Sequence, residues 1–254
     1  MKFIYLGHHV KDAYSNMATD SMMLKTTQET GETYLRFYDF ENPSLVLAWR
    51  EHPSDILQRE DIDVTRRVTE GSVILCDNRT LSYSITSSKK HGDNTFSGPE
   101  NAHSYFGGIV SGVFGKLGIS TEVGKRYYLR VDGKPILGHG QYWTRNGILY
   151  HGIIPFEPWD IDLISRTIKL RDGEAEMIQK LPYMSQFGVS KQDFIQTFLE
   201  TVEYENGSIP DDISNETAKF KDEGWIERAE RDGIGISSLE TNEGFCFIDL
   251  KNPE

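Results

Sequence analysis

Cysteine is scarce in this 254-residue chain: Cys76 and Cys246 are the only two, and they lie far apart. That excludes a disulfide framework and a cysteine-rich zinc site. Long apolar runs are missing as well, and no stretch approaches the roughly 20 residues that a membrane-spanning helix needs. The amino terminus, Met1-Lys2-Phe3-Ile4-Tyr5-Leu6-Gly7-His8-His9, has no apolar core of signal-peptide length, so a cytoplasmic, reducing location is expected. Positive charge is outnumbered: 27 Lys and Arg against 39 Asp and Glu leave a formal charge of −12. This argues against broad nonspecific binding to nucleic acid or anionic membranes. An acidic partner would have to dock on a locally basic area. Repeats and low-complexity segments are also lacking.

What remains is ordinary for a soluble globular protein, at 37% hydrophobic and 26% charged residues. The length allows a large core and predicts one main domain, residues 1–187, with a small accessory segment over 188–254. Tyr34–Tyr38 and Ser44–Trp49 read as strands around a turn at Glu41-Asn42-Pro43. Asn16–Lys25 has helical spacing, with Asp12 or Ser15 as cap. Val73–Leu75 and Leu81–Ile85 read as two strands joined by Asp77-Asn78-Arg79. A helix is predicted over Ala102–Leu117. Tyr128–Val131 leads through the hairpin dipeptide Asp132-Gly133 to a return strand at Ile136. Ile148–Ile154 is another strand, and Trp159–Lys169 looks helical. Ser190 caps a helix over Lys191–Val202, followed by a helix near Glu216–Arg231 and a strand over Gly244–Leu250. The mixture predicts an α+β fold: a mixed, mostly antiparallel sheet flanked by helices, with a small C-terminal α/β appendage.

Three ordered segments carry the chemistry. The first is Asn16-Met17-Ala18-Thr19-Asp20, whose Asn16 and Asp20 share a helix face and would anchor a neighbouring segment. The second is Arg66-Arg67-Val68-Thr69-Glu70-Gly71-Ser72-Val73-Ile74-Leu75-Cys76-Asp77. The third is Val131-Asp132-Gly133-Lys134-Pro135-Ile136-Leu137-Gly138-His139-Gly140-Gln141, then Leu149-Tyr150-His151-Gly152. His139 and His151 are acid/base candidates by residue type, the bland reading of His151 being a strand histidine bonded to backbone. Cys76 reads as a buried, inert thiol. Trp49-Arg50-Glu51-His52-Pro53 lines a tunnel or simply packs at a strand end.

In this order and spacing the segments resemble the lipoate–protein ligase A and octanoyltransferase family, over about residues 12–185. The second resembles Arg-Arg-x-Thr-Gly-Gly-Gly-Ala-Val-x-His-Asp, with Glu70 and Ser72 in place of two glycines and Cys76 in place of the histidine. The resemblance implies the biotin/lipoate protein ligase catalytic fold and the attachment of a lipoyl or octanoyl group to a lysine of an acceptor domain. That domain would belong to a 2-oxoacid dehydrogenase E2 or a glycine cleavage H protein. The acyl donor would be an acyl-adenylate made from lipoate or octanoate with ATP and Mg, or an acyl carrier protein. Biotin ligation shares the fold, but the Gly-Arg-Gly-Arg-like loop is missing.

Carried over residue by residue, Arg67, Thr69, Gly71 and Ser72 would hold the substrate or adenylate, with Gly138, His151 and Gly152, while Asn16 and Asp20 support the site. No residue is assigned to a metal. The family's essential lysine falls at Pro135. Lys134 takes its place only if a bulge re-aims the strand. Glu70 is expected to turn outward or to meet a cation, which Arg66 or Arg67 could supply. The substitutions at 70, 72 and 135 also support an alternative, a catalytically impaired acyl-binding or companion protein on the same fold.

Overall fold

The computed structural model describes residues 1–227 apart from 52, 54, 55, 58, 72, 92, 93, 125–127 and 210–212. In chain order the elements begin with β1 (Lys2–Lys11), α1 (Ala13–Thr30), β2 (Tyr34–Phe40), β3 (Ser44–Leu47), β4 (Asp63–Arg66), β5 (Ile74–Cys76) and β6 (Thr80–Ser88). The short ladder β7 (Lys90–His91) and β8 (Asn94–Thr95) precedes α2 (Pro99–Lys116) and β9 (Glu122–Val123). Next come β10 (Tyr128–Val131), β11 (Lys134–Trp143), β12 (Gly147–Pro155), α3 (Ile161–Thr167) and α4 (Glu174–Gln179). The described chain closes with α5 (Lys191–Leu199), β13 (Glu203–Asn206), α6 (Ser214–Lys221) and α7 (Glu223–Ile226). The strand expected over Gly244–Leu250 lies outside the described residues.

Among the described residues the main sheet has eight strands, ordered β13-β1-β2-β6-β12-β11-β10-β9. The pairs of β1 with β13 and β2 are parallel and the others antiparallel, so the sheet is mixed and mostly antiparallel as expected. A second sheet runs β4-β3-β5. The two strands expected on either side of Asp77-Asn78-Arg79 are β5 and β6, and they lie in different sheets. β5 pairs with β3, while β6 enters the main sheet between β2 and β12. The Asp77-Asn78-Arg79 turn therefore carries the chain from one sheet to the other.

Local chemistry explains the boundaries. The Asp12 carboxylate accepts from Ser15 N and caps α1, and Gly31 ends it at positive φ. Asp132 and Gly133 both adopt positive φ, 49° and 73°, as a tight hairpin turn requires. Ser190 and Asp193 form a reciprocal capping box on α5.

One face of the main sheet packs under α2 and α5, where Phe37, Tyr83 and Leu137 meet Phe106, Phe114 and Phe198 in a single core. Each such side chain contributes about 1.5–3 kcal/mol by leaving water. Beyond residue 187 the described chain packs on the same core. Phe194, Ile195 and Phe198 of α5 belong to that same core, and β13 extends the sheet beside β1. A helix with apolar residues on one face needs a surface to cover, and here the surface is the main sheet. The opposite face carries α1 and the small sheet, with Met17, Tyr38, Val46, Cys76, Ile153 and Phe220 in contact. Among the described residues no helix is long and apolar enough to cross a membrane.

Candidate active site

The gap between the α1 face of the main sheet and the small sheet is a cleft of about 550 Å³, open solvent at its mouth included. Its apolar walls come from Met17, Tyr38, Phe40, Val46, Ile74 and Ile153. Arg67, Glu70 and His151 add polar groups, and Gly138, Gly140 and Gly152 line it.

A chain of buried polar groups runs beneath this cleft. Arg36 Nε donates to Asp20 Oδ1 at 3.0 Å, and Nη2 makes a second bond to the same oxygen. Arg36 also donates to Asn16 Oδ1 at 3.2 Å and to the Asn16 carbonyl at 2.6 Å, while Asn16 Nδ2 donates to the carbonyls of Lys11 and Asp39. Asp20 Oδ2 lies 3.2 Å from His151 Nδ1. His151 Nε2 lies 2.8 Å from Thr69 Oγ1, to which Arg67 Nε donates at 3.0 Å. Arg67 further donates from Nη1 to the Val46 carbonyl at 2.8 Å and from Nη2 to the Glu70 carbonyl at 3.0 Å.

Donor counting sets the direction of these bonds. Burial acts to raise the Asp20 carboxyl, but Arg36 and then His151 outweigh it and hold it below the usual carboxylate range. The carboxylate is thus ionised and accepts only, so His151 Nδ1 carries the hydrogen of that bond. Arg67 only donates, so Thr69 Oγ1 accepts there, and when His151 is neutral its Nε2 accepts the Thr69 hydroxyl hydrogen. Asp20 and His151 thereby fix Thr69, and Thr69 fixes the guanidinium at the cleft.

Two glycines serve this arrangement, one by its backbone angle and one by the room it leaves. Gly71 adopts a φ of +121°, where a side chain is strained. At Gly140 an added Cβ would lie 2.8 Å from both His151 Nε2 and Thr69 Oγ1. Gly140 is a site residue that sequence reasoning does not single out. Its one signal is alternation, since Gly138 and Gly140 share one strand face. Arg36 escapes it too, because a single arginine in an apolar strand does not show what it faces. At Gly152 the close approach is on the reverse face, where a Cβ would meet the Tyr83 ring at 2.9–3.0 Å.

The structure therefore gathers Arg67, Gly138, His151 and Gly152 at the cleft. Thr69 lies behind Arg67 and His151, with Asp20 and Asn16 farther back, and Gly71 is not among the lining residues. Ser72 lies outside the described residues. Lys134 is not brought in. The bulge that could have re-aimed it exists, because Leu129 pairs with Leu137 and Arg130 with Pro135, leaving Ile136 extra. Its effect is the reverse of the one required. Lys134 pairs with Val131, which is buried in the α2/α5 core, and directly paired residues share a sheet face. Lys134 is thus exposed on the side away from the cleft. Glu70 turns partly outward and meets a cation, as expected, but that cation is Arg50 at 3.2 Å in place of Arg66 or Arg67. Both partners are about 40% exposed, so the pair adds no more than about 1 kcal/mol. His139 also lines the cleft, and its ring lies 5.2 Å from that of His103. Cys76 is buried, which pushes its thiol far above the ordinary range and away from thiolate chemistry. Among the described residues no cluster of His, Cys, Asp and Glu is arranged to hold a metal ion.

Similarity to known proteins identifies the family. The family model described as the lipoyl protein ligase A/B catalytic domain matches residues 12–203. Lipoate–protein ligase 1 of Staphylococcus aureus is 23% identical over 242 residues, covering 91% of this chain and 70% of that protein. Lipoate-protein ligase LplJ of Bacillus subtilis is 24% identical, with 67% of this chain matching half of that protein. Octanoyltransferase LipM of Bacillus cereus is 25% identical over 185 residues, covering 61% of this chain and 66% of that one. Among solved structures, the bi-partite lipoate protein ligase of Thermoplasma acidophilum superposes with a TM-score of 0.79 at 16% identity, over 92% of this chain and all of that one. With most of its length inside the family match, this chain belongs to the lipoyl protein ligase A/B catalytic domain family.

Proposed function

We propose that the protein transfers a medium-length acyl group, lipoyl or octanoyl, to the side-chain amine of a lysine on an acceptor domain. One observation carries this reading: an apolar cleft ends at a guanidinium held rigid by three acceptors. The apolar walls suit a hydrocarbon chain. The Arg67 charge suits the carbonyl oxygen of an activated acyl group, where negative charge grows as the amine attacks. In the transfer the lysine nitrogen forms a bond to the acyl carbon, the bond to the leaving group breaks, and the amine gives up a proton. Gly138 and Gly140 leave the strand without side chains where the acyl head would lie. Two donors are compatible with this reaction, an acyl-adenylate made with ATP and an acyl carrier protein. The acceptor would be the lipoyl domain of a 2-oxoacid dehydrogenase E2 or a glycine cleavage H protein.

A second reading, a non-catalytic acyl-binding companion, is favoured by the placement of Lys134 on the far face of β11. Intact mass of an apo lipoyl domain separates the readings. Mass gained with lipoate and MgATP marks a ligase, and mass gained with octanoyl–acyl carrier protein marks a transferase. No gain in either, with a known ligase active on the same acceptor, supports the companion.

A further inference from the structure

Two segments distant in sequence meet on Arg66, which is fully buried. Its guanidinium donates to the carbonyls of Ala48 at 2.6 Å, Trp49 at 3.1 Å and Glu51 at 2.8 Å, all in the turn after β3. It also donates to the Trp225 carbonyl at 3.2 Å and the Ile226 carbonyl at 2.7 Å, at the end of α7. In return Trp225 Nε1 donates to the Arg66 carbonyl at 2.9 Å, and Thr65 Oγ1 donates to the Phe220 carbonyl at 3.0 Å. The Trp225 ring packs 5.4 Å from Trp49 and 5.5 Å from Phe220. A buried cation surrounded by backbone carbonyls depends on all of them, because each lost acceptor leaves charge poorly solvated.

The segments held by Arg66 also form the lip of the cleft. Arg66 and Arg67 alternate along the strand, one facing α7 and the other the cleft. Trp49 N donates to the Thr69 carbonyl and Arg67 N to the Leu47 carbonyl, both at 2.9 Å. Arg50, within the same turn, pairs with Glu70. Displacement of α7 would therefore free the turn at 48–51 and the run from Arg67 to Glu70 together.

We propose that α6 and α7 are a strap that completes the acyl site, with Arg66 and Trp225 as positioning residues acting on Arg67 and Glu70 through the backbone. The acyl ligand is taken from the proposed function, whereas the strap is read independently of it. The test is hydrogen exchange by mass spectrometry on the full chain, alongside calorimetric titration with octanoate. Trp225→Ala is expected to speed exchange across residues 47–51 and 66–71 by about tenfold or more, with β6 and β12 unchanged. Trp225→Phe keeps the ring packing, loses the Nε1 bond, and is expected to fall between. Octanoate affinity should weaken in the same order. Phe198→Leu, a core change far from the strap, should lower the melting temperature without this local pattern. Unchanged exchange at 47–51 and 66–71 in Trp225→Ala overturns the strap, as does a uniform rise that includes β6 and β12. If octanoate fails to bind the wild type, the acyl reading fails and the exchange pattern still decides the strap.

Discussion

Asp20 and His151 lie 131 positions apart in sequence and share a hydrogen bond of 3.2 Å beneath the cleft. The bond joins α1 to β12 and ties the first helix to the Arg67 loop through Thr69. Because Arg36 neutralises Asp20 in full burial, removing either partner leaves the other's charge uncompensated.

Asp20→Asn is expected to destabilise the fold by about 3–5 kcal/mol, by stranding the buried Arg36. Urea unfolding at neutral pH measures it. The Asp20 carboxyl is depressed in the folded state, so its contribution is complete above the unfolded value near 4 and is lost as pH falls through the lower folded value. The variant should show a flatter stability profile across that acid range than the wild type.

His103 titrates with the same sign in a higher window. Burial lowers its imidazole to about 4, and its Nδ1 lies 2.9 Å from Tyr150 Oη. The unfolded chain binds the proton first, so stability is full above about pH 6.5 and declines from there toward pH 4. His103→Asn should remove that slope from melting curves recorded between pH 4 and 7. A slope that persists unchanged would assign it to another group.

Gly140→Ala places a methyl 2.8 Å from both His151 Nε2 and Thr69 Oγ1 and so breaks their bond. Displacing the Arg67 guanidinium by about 1 Å would cost on the order of 100-fold in the acyl-transfer rate. The check is a single-turnover rate beside a thermal melt, with the rate falling far more than the melt shifts.

Arg67→Lys should be nearly as damaging, since one ammonium cannot replace a planar fork reaching Thr69 Oγ1 and two carbonyls. Lys134→Ala should leave transfer within about twofold, as expected of a surface substitution away from the site. Acceptor labelling by both variants decides this. A collapse in Lys134→Ala with Arg67→Lys intact would reverse the assignment.

Cys76 should resist alkylation by iodoacetamide at pH 8 in the native protein and react once unfolded, because burial keeps it a thiol. Peptide mapping reads Cys76 separately from Cys246.

Much of the frame is legible in the residues alone. Asp12 announces the start of α1, Asp132-Gly133 the hairpin, and Ser190 the start of α5, because caps and turns depend on a few adjacent residues. The spacing of Asn16 and Asp20 also shows that they act together. What they act on is hidden, since Arg36 arrives from strand β2. The edge strand β13 escapes notice for a different reason: it is short and wholly exposed, so it has no buried face to impose alternation.

The sequence by itself determined the family, the main secondary elements and most of the residues that gather at the cleft, because these are written in local pattern and ordered motifs. Tertiary structure alone decided the face of Lys134, the partner of Glu70, the separation of β5 from β6 and the seating of α7 on Arg66. Each depends on strand register or on a contact between distant segments, and a single bulged residue reverses which side of a sheet a side chain occupies.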